Sequence, residues 1–197
     1  DGLGGGDLLQ RLAFPVEVIR AVRQELGPDF VIGWRFSQWK EVDFNAKLFA
    51  SPEELRVAIN AWEDAGVDLF HASTRRFYQP EWPGSDLGLA GWTSKVGHRP
   101  VITVGSIGMR DLLFEQPHEA SGLDPLASLG ELLRRFQRGD FALAAAGRAM
   151  IGDPCWVNKL RDGDPGAIVP FSMDLVSGDL DRWDMRLVME GLSRFAA

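Results

Sequence analysis

Two apolar runs of strand length each end in a glycine followed by a polar or charged residue. The run VITV is followed by Gly105 and Ser106, and the run FALAAA is followed by Gly147 and Arg148. A buried strand that stops in this way leaves backbone N–H groups at its end, and a guanidinium can hold a phosphate through two hydrogen bonds. These four residues therefore predict a phosphate site.

A segment with helical spacing separates the two runs, so we predict two parallel strands joined by a crossover. In an α/β barrel, a phosphate is usually held at the C-terminal ends of the last two strands. The residues alone leave plainer interpretations open. Arg148 would then be a surface arginine paired with a carboxylate. Ser106 would begin a turn, and in the phosphate interpretation it acts through its backbone N–H.

Helix and strand patterns alternate along the whole chain. We predict helices over residues 12–26, 52–65, 89–96 and 126–138 and another after Pro154, strands over 30–35, 67–72, 101–104 and 141–146, and a loose insertion over 108–124. This order predicts an α/β fold with a parallel sheet, in one domain spanning 1–197. Four such units are half of an eight-stranded barrel or an open doubly wound sheet, and the pattern leaves both possible.

The composition narrows the classes of partner. The 197 residues are 45% hydrophobic and 25% charged, with a net charge of -7 and scattered arginines. Nucleic acid and anionic membranes are therefore not expected as partners, and no apolar run has the length of a membrane span. The one cysteine, Cys155, fits a reducing, cytoplasmic setting. No cluster of histidine, cysteine and carboxylates has metal-ligand spacing, so we predict no metal.

Five short motifs in a fixed order carry a family resemblance. They are Gly5-Gly6 before Gln10-Arg11, Gly33-Trp34-Arg35-Phe36-Ser37, Ala65-Gly66-Val67-Asp68, Thr103-Val104-Gly105-Ser106, and Gly147-Arg148-Ala149-Met150 with Asp153-Pro154-Cys155-Trp156. Together they resemble the C-terminal half of the old yellow enzyme family, the FMN-dependent NAD(P)H oxidoreductases and ene-reductases. The resemblance covers nearly the whole chain.

The resemblance implies a TIM (β/α)8 barrel of which this chain covers approximately strands five to eight. It implies that Arg35 ends the fifth strand and lies against the N1/O2 edge of the flavin, where a positive charge stabilises the reduced, anionic ring. It further implies that Gly105 and Ser106 end the seventh strand, that Gly147 and Arg148 end the eighth, and that both pairs bind the FMN phosphate. Without the resemblance, Arg35 could equally form a structural ion pair.

The sequence also departs from the family pattern. Gly4, Asp7 and Gln10 stand where the family's glycine-rich loop usually carries tyrosine, serine and asparagine. The first four strands of the family supply the substrate-binding pair and a proton-donating tyrosine, and those positions have no counterpart here. Tyr78, which is the only tyrosine, falls in the loop after the sixth strand, so we assign no catalytic residue. Because the chain opens DGLGGG with neither methionine nor strand, we expect a piece of a longer protein.

Other chemically capable residues have structural interpretations. We expect His71 to be packed rather than catalytic and Cys155 to be structural, because no base is paired with it. Asp153 and Pro154 predict a helix N-cap and a first-turn proline. The aromatic loop after Arg75-Arg76 either lines a substrate entrance or is a solvated loop anchored by its rings, and the sequence leaves both open.

The expected function is that of an FMN-dependent NAD(P)H oxidoreductase. Hydride would pass from NAD(P)H through FMN to an activated alkene such as a small α,β-unsaturated carbonyl compound, and the chain alone is expected to be inactive. The alternative is a non-catalytic half-barrel that binds a phosphate-bearing ligand or self-associates, because a half-barrel exposes two strand edges. A homo-oligomer, or pairing with an N-terminal half-barrel, is expected in either case. A different phosphate-binding TIM barrel would share the glycine motifs.

Overall fold

The four strands form one parallel sheet with helices between them. The computed structural model describes residues 6–40, 43, 45–109 and 123–172. Its elements are α1 (Leu8–Leu26), β1 (Gly33–Ser37), α2 (Pro52–Ala65), β2 (Leu69–Ser73), α3 (Leu89–Val96), β3 (Val101–Val104), α4 (Pro125–Arg138), β4 (Leu143–Ala145), α5 (Arg148–Gly152), α6 (Trp156–Arg161) and a 3-10 turn at Pro165–Ala167. The strands lie in the order β1-β2-β3-β4, and every neighbouring pair is parallel. The predicted alternation is confirmed.

The contacts within the chain divide it into two compact units. The first unit takes in Asp1–Gly105 and Gly130–Ala145, and the second takes in Ser106–Leu129 and Ala146–Ala197. The sheet, α1, α2, α3 and the C-terminal part of α4 belong to the first unit, while α5 and α6 belong to the second. The assignment of the whole chain to one domain stays a prediction.

One face of the sheet packs against helices and forms the core of the first unit. Phe36, Phe70, Ala72 and Val101 are buried on this face. Because side chains alternate along a strand, the residues between them point to the opposite face. That opposite face carries Arg35 in register with His71, and its residues are half-buried or exposed.

The ends of helix α2 agree with the prediction because neighbouring residues cap the helix at both ends. The Ser51 hydroxyl accepts a hydrogen bond from the backbone N–H of Glu54 at 3.2 Å, and Pro52 occupies the first turn. At the other end Gly66 takes a left-handed conformation with φ 116°. The helix therefore begins and ends as predicted, and α3, β3 and α4 also match their predicted spans to within one residue.

The strand predicted at 30–35 is wrong in its bounds. The observed strand runs over Gly33–Ser37, so Arg35 lies in its middle rather than at its end. Phe30 and Val31 are 55% and 66% exposed. The Phe30 backbone is engaged elsewhere, since its carbonyl accepts a hydrogen bond from the Arg23 side chain at 2.6 Å. The strands predicted at 67–72 and 141–146 likewise start two residues later, at Leu69 and Leu143.

The first helix is longer than the predicted span of 12–26. Asp7 caps it by accepting a hydrogen bond from the backbone N–H of Gln10 at 2.9 Å, so α1 begins at Leu8. Pro15 consequently lies inside the helix, not in its first turn. Most of the predicted insertion at 108–124 lies outside the described residues. None of the helices described here is both long and apolar enough to cross a bilayer.

Candidate functional site

Arg35 lies on the face of the sheet that the helices leave uncovered. Its guanidinium Nη2 donates a hydrogen bond to the Ser73 hydroxyl at 3.0 Å. Ser73 follows His71 by two residues on β2, and therefore shares its face with Arg35. Within the described part of the chain no carboxylate pairs with Arg35. The structure thus places an exposed cation, hydrogen-bonded to one hydroxyl, in the middle of β1.

His71 is the cross-strand neighbour of Arg35. Its Nε2 is buried and has no hydrogen-bond partner among the described residues. Burial and, to a smaller extent, the positive charge of Arg35 lower the pKa of His71, so the imidazole is neutral near pH 7. His71 is thus packed as expected, and it adds no second charge beside Arg35.

Gly105 has a conformation and a neighbour that only glycine accepts. Its φ is +142°, and a Cβ built on it would lie 2.5 Å from the Thr74 carbonyl oxygen. The ends of β2 and β3 are held at this distance because the Thr74 hydroxyl donates to the Val104 carbonyl at 2.6 Å. The Gly105 carbonyl in turn accepts the backbone N–H of Phe77 at 3.1 Å. Glycine is therefore required here for backbone packing.

Ser106 opens the second unit with a left-handed backbone. Its φ is 52°, and no other non-glycine residue in the described part of the chain has a positive φ. The side chain is buried, and the Ser106 carbonyl accepts the backbone N–H of Met109 at 3.2 Å. Ser106 therefore forms a backbone turn and its side chain is not exposed, while its role in binding a phosphate stays a prediction.

Gly147 and Arg148 do not end a strand as predicted, because β4 stops at Ala145. Gly147 precedes α5, and Arg148 is its first residue. A Cβ on Gly147 would meet no atom of the described residues within 4 Å, so among these residues the backbone there is open to close approach. Arg148 is half-buried with its guanidinium 5.9 Å from the centre of the Phe171 ring, and burial lowers its pKa. No residue pattern predicted α5, which is only five residues long.

The two glycines predict opposite outcomes when alanine replaces them. Gly105→Ala should lower the free energy of unfolding by about 2 kcal/mol or more, because the methyl group overlaps a backbone carbonyl at an unfavourable φ. Gly147→Ala has an ordinary φ of -102° and open space, so its stability should stay within about 0.5 kcal/mol of the wild type. Urea denaturation of both variants measures the difference. Equal losses of stability would contradict this assignment of the two glycines.

Asp153 is a structural residue of the second unit. Its carboxylate accepts hydrogen bonds from the Lys159 ammonium at 2.6 Å and from the backbone N–H groups of Cys155 and Val169. The helix α6 starts at Trp156 with Cys155 as its N-cap, so the predictions that Asp153 is the N-cap and that Pro154 occupies the first turn are both wrong. Among the described residues, no three histidine, cysteine or carboxylate side chains come together in a way that could hold a metal ion.

The aromatic loop after β2 is anchored by its rings. The Phe77 and Tyr78 rings meet edge to face at 5.3 Å, and the Tyr78 carbonyl accepts a hydrogen bond from Arg135 at 2.9 Å. The Trp82 indole donates to the Ala50 carbonyl at 3.1 Å and packs against Trp92. These contacts account for the aromatic residues structurally.

Two contacts of the candidate residues were not anticipated from the sequence. The partner of Arg35, Ser73, could have been found by extending the period of two along adjacent parallel strands. Phe171, beneath Arg148, lies in irregular chain and gives no periodic signal. Arg35 and His71 come together in the first unit, while Ser106, Gly147 and Arg148 belong to the second.

Comparison with known proteins shows that the chain is similar to oxidoreductases. No family model matches it. Over 171 residues it is 32% identical to NADH oxidase of Thermoanaerobacter brockii, in an alignment that covers 81% of this chain and 22% of that protein. The chain is similar in structure to morphinone reductase in complex with tetrahydroNAD, with a TM-score of 0.60, 19% identity, and coverage of 87% of this chain and 39% of that one.

A further solved structure, the old yellow enzyme homologue from Zymomonas mobilis, gives a TM-score of 0.58 at 14% identity and covers 87% of this chain and 41% of that one. The chain thus spans about a fifth of the NADH oxidase and about two fifths of these structures. Their fold is the TIM barrel, so the four parallel strands and their helices are part of a barrel, as the resemblance implied. The resemblance to the old yellow enzyme family is thus confirmed: the chain is similar to the NADH oxidase in sequence and to old yellow enzyme homologues in fold.

Proposed function

We propose that this chain is the FMN-binding part, approximately strands five to eight, of an NAD(P)H-dependent oxidoreductase. The observation that carries the proposal is the half-buried guanidinium of Arg148, which directly follows a glycine whose backbone is open to close approach. The sequence likeness to an NADH oxidase supports it, as does the tetrahydroNAD in the structurally similar morphinone reductase. Bound FMN would relay a hydride from the nicotinamide to an activated alkene.

The phosphate part of the proposal concerns residues at the start of the second unit. Arg148 would hold the phosphate through two N–H···O hydrogen bonds, with its guanidinium plane supported by Phe171. Gly147 would let a phosphate oxygen reach the backbone, because no side chain in the described part of the protein lies within 4 Å of its built Cβ. Gly105 and Ser106 would contribute through the turn that they form and through a backbone N–H.

The ring part of the proposal concerns Arg35 in the first unit. An exposed guanidinium without a carboxylate partner in the described chain is suited to an electron-rich edge, such as the N1/O2 edge of a flavin. Its charge would stabilise the reduced, anionic ring more than the oxidised, neutral one. The Ser73 hydroxyl orients the guanidinium, and the neutral His71 leaves Arg35 as the cation of the pair.

The substrate would be a small molecule with an activated double bond, such as an α,β-unsaturated carbonyl compound. The described residues offer no substrate-binding histidine pair and no tyrosine placed as a proton donor, since the Tyr78 backbone and ring are engaged in structural contacts. We therefore propose that the chain binds the cofactor but needs further strands for turnover. We also propose a cytoplasmic location, on the basis of the single Cys155.

The test is a titration with FMN followed by flavin fluorescence. Arg148→Ala should weaken binding at least tenfold, which is about 1.4 kcal/mol. The matched control is Arg161→Ala in the same unit, because Arg161 is exposed and pairs only with its neighbour Asp162 in the contacts described. Saturable binding that Arg148→Ala and Arg161→Ala leave equally tight would overturn the phosphate assignment, and so would an absence of binding by the wild type.

A second arm of the same experiment addresses Arg35. For the FMN-loaded protein, Arg35→Ala should shift the two-electron midpoint potential at least about 30 mV more negative, which corresponds to a tenfold loss of preference for the reduced flavin. Arg56→Ala is the control, because Arg56 is exposed on α2 and pairs with Glu53. An unchanged potential in Arg35→Ala would remove Arg35 from the ring edge without affecting the phosphate assignment.

A further inference from the structure

A short segment of the second unit brings an aromatic ring to Arg148. Residues 167–171 run on from the 3-10 turn at Pro165–Ala167, and we call them the strap. Phe171 ends the strap, and the guanidinium carbon of Arg148 lies over its ring, 5.9 Å from the ring centre. A guanidinium stacked on a ring keeps its N–H groups for other partners. The position of the strap therefore affects how Arg148 presents its donors.

A buried carboxylate and a lysine fix the first part of the strap. The Asp153 side chain is 5% exposed, and the Lys159 Nζ donates to its Oδ2 at 2.6 Å. The same Nζ donates to the Ala167 carbonyl at 2.8 Å, and the same Oδ2 accepts the backbone N–H of Val169 at 2.9 Å. Because charge-assisted hydrogen bonds are the stronger ones, this ion pair fixes two backbone groups of the strap.

The end of the strap packs directly against Gly152, the last residue of α5. A Cβ built on Gly152 would lie 2.8 Å from the backbone N and Cα atoms of Phe171 and 3.1 Å from the carbonyl carbon of Pro170. These are backbone atoms, so a larger residue at position 152 must push the strap away. Arg148 begins the same five-residue helix, so α5 carries both the guanidinium and the surface on which the strap rests.

A fixed guanidinium plane matters for binding a phosphate. Two parallel N–H···O hydrogen bonds to one phosphate need a single orientation of the guanidinium. A mobile arginine side chain must give up rotamer freedom to reach that orientation, and this loss weakens binding. The ring of Phe171 and the burial of Arg148 restrict the side chain before any ligand arrives. The fold therefore supplies part of the ordering that binding requires.

We propose that the strap orients Arg148 for a phosphate monoester, and that Gly152, Asp153 and Lys159 are positioning residues that act through it. This inference rests on the proposed function, in which Arg148 binds the FMN phosphate. It extends that function because it gives three residues a part in phosphate affinity without requiring any of them to touch the phosphate. Their contacts with the strap all lie within the second unit.

The first test titrates the 197-residue chain with FMN and follows flavin fluorescence. Gly152→Ala should weaken FMN binding about tenfold, because the new methyl group displaces the Phe171 backbone while Arg148 itself is unchanged. Gly166→Ala is the matched control and should change the affinity by less than about twofold. Gly166 precedes the strap, and its built Cβ meets only the Asp164 side chain among the described residues, at 4.0 Å. Equal affinities of the two variants would overturn the proposal.

A double-mutant cycle separates positioning from a general loss of structure. If the strap acts through Arg148, Gly152→Ala should weaken FMN binding by less than about twofold once Arg148→Ala is already present. A further tenfold loss in the double variant would mean that Gly152 affects FMN by another route, and the proposal would be wrong. An affinity that Arg148→Ala alone leaves unchanged removes the phosphate site of the proposed function, and the phosphate role of the strap falls with it.

A cofactor-free measurement distinguishes the two failures. The Phe171 ring should shift the NMR signal of the Arg148 side-chain Nε–H, because the guanidinium lies over the ring. Gly152→Ala should move this signal and Gly166→Ala should leave it in place. A signal that Gly152→Ala does not move overturns the inference even if FMN binds through Arg148. A signal that moves as expected in a chain that binds no FMN contradicts the proposed function, and the strap then orients Arg148 for no phosphate.

Discussion

Replacing Trp62 by alanine is expected to lower the free energy of unfolding by about 3–5 kcal/mol, the range for deleting a buried large aromatic side chain. Trp62 is 2% exposed, and its ring centre lies 5.7 Å from Trp34 and 5.2 Å from Phe36. It also lies 5.9 Å from Phe49 and 6.3 Å from Phe70. Its removal therefore leaves a cavity bordered by four rings that are themselves packed against the sheet. The urea midpoint measures the change.

A conservative variant separates ring packing from polarity. The Trp62 indole N–H is buried without a hydrogen-bond partner among the described residues, so Trp62→Phe gives up no hydrogen bond. It should cost less than half as much as Trp62→Ala, because a ring still occupies most of the space. Similar midpoints for the two variants would mean that the aromatic cluster does not depend on the volume of this side chain.

The second large effect is expected at Arg23. Its Nη1 donates to the carbonyls of Gly27 and Phe30 at 2.9 and 2.6 Å, and its Nη2 donates to the Gly66 carbonyl at 2.6 Å and to the Asp68 carboxylate. One guanidinium thus connects the end of α1, the end of α2 and the approach to β2. Arg23→Ala should lower the free energy of unfolding by about 2–4 kcal/mol, because hydrogen bonds to charged groups are the stronger ones.

Two further variants serve as controls for Arg23→Ala. Arg20→Ala changes an exposed arginine on the same helix and should alter stability by less than about 0.5 kcal/mol. Arg23→Lys keeps the positive charge but cannot reach several carbonyls at once, so it should restore only part of the loss. Full restoration by lysine would show that the positive charge at position 23, and not the several N–H donors of the guanidinium, stabilises the contact between α1, α2 and β2.

The loss of stability at low pH should also involve the contact between Arg23 and Asp68. The hydrogen bond from the Ile32 backbone N–H lowers the pKa of Asp68 below its ordinary value of 3.8. Arg23 also lowers this pKa, while burial acts in the opposite direction. A lowered carboxyl pKa stabilises the folded state fully above the ordinary pKa, and this contribution disappears as the pH falls through the folded value. Asp68→Asn should therefore show a smaller loss of urea midpoint below about pH 4 than the wild type.

The elements that sequence patterns predicted well are those with local signals at both ends. Ser51 and Gly66 delimit α2 through their own side chain and backbone, and α3 and α4 also follow their apolar spacing. The start of β1 was misplaced because a distant side chain decides it. Phe30 belongs to an apolar run, yet its carbonyl is bonded to Arg23 and its side chain remains exposed. No periodicity within residues 30–35 reports that contact.

The residues of the candidate site stay predictions, and the local structure around them differs from what the sequence patterns indicated. Arg35 was expected at a strand end and lies mid-strand, since β1 extends to Ser37. Arg148 was expected at a strand end and begins a five-residue helix over Phe171, a partner that comes from chain with no regular pattern. The importance of Gly105 was anticipated, whereas its immediate cause, the Thr74 carbonyl, depends on how closely two strands approach.

The contact between Gly105 and Thr74 determines where the loop after β3 could be redesigned. The Thr74 hydroxyl and backbone carbonyl both crowd this position, and because the carbonyl belongs to the backbone, no change of side chain at position 74 makes room for a larger residue at 105. A foreign loop grafted onto this strand should therefore retain Gly105 and begin at position 106. Its first residue should be one that tolerates a left-handed backbone, such as glycine, asparagine or aspartate, because φ there is 52°.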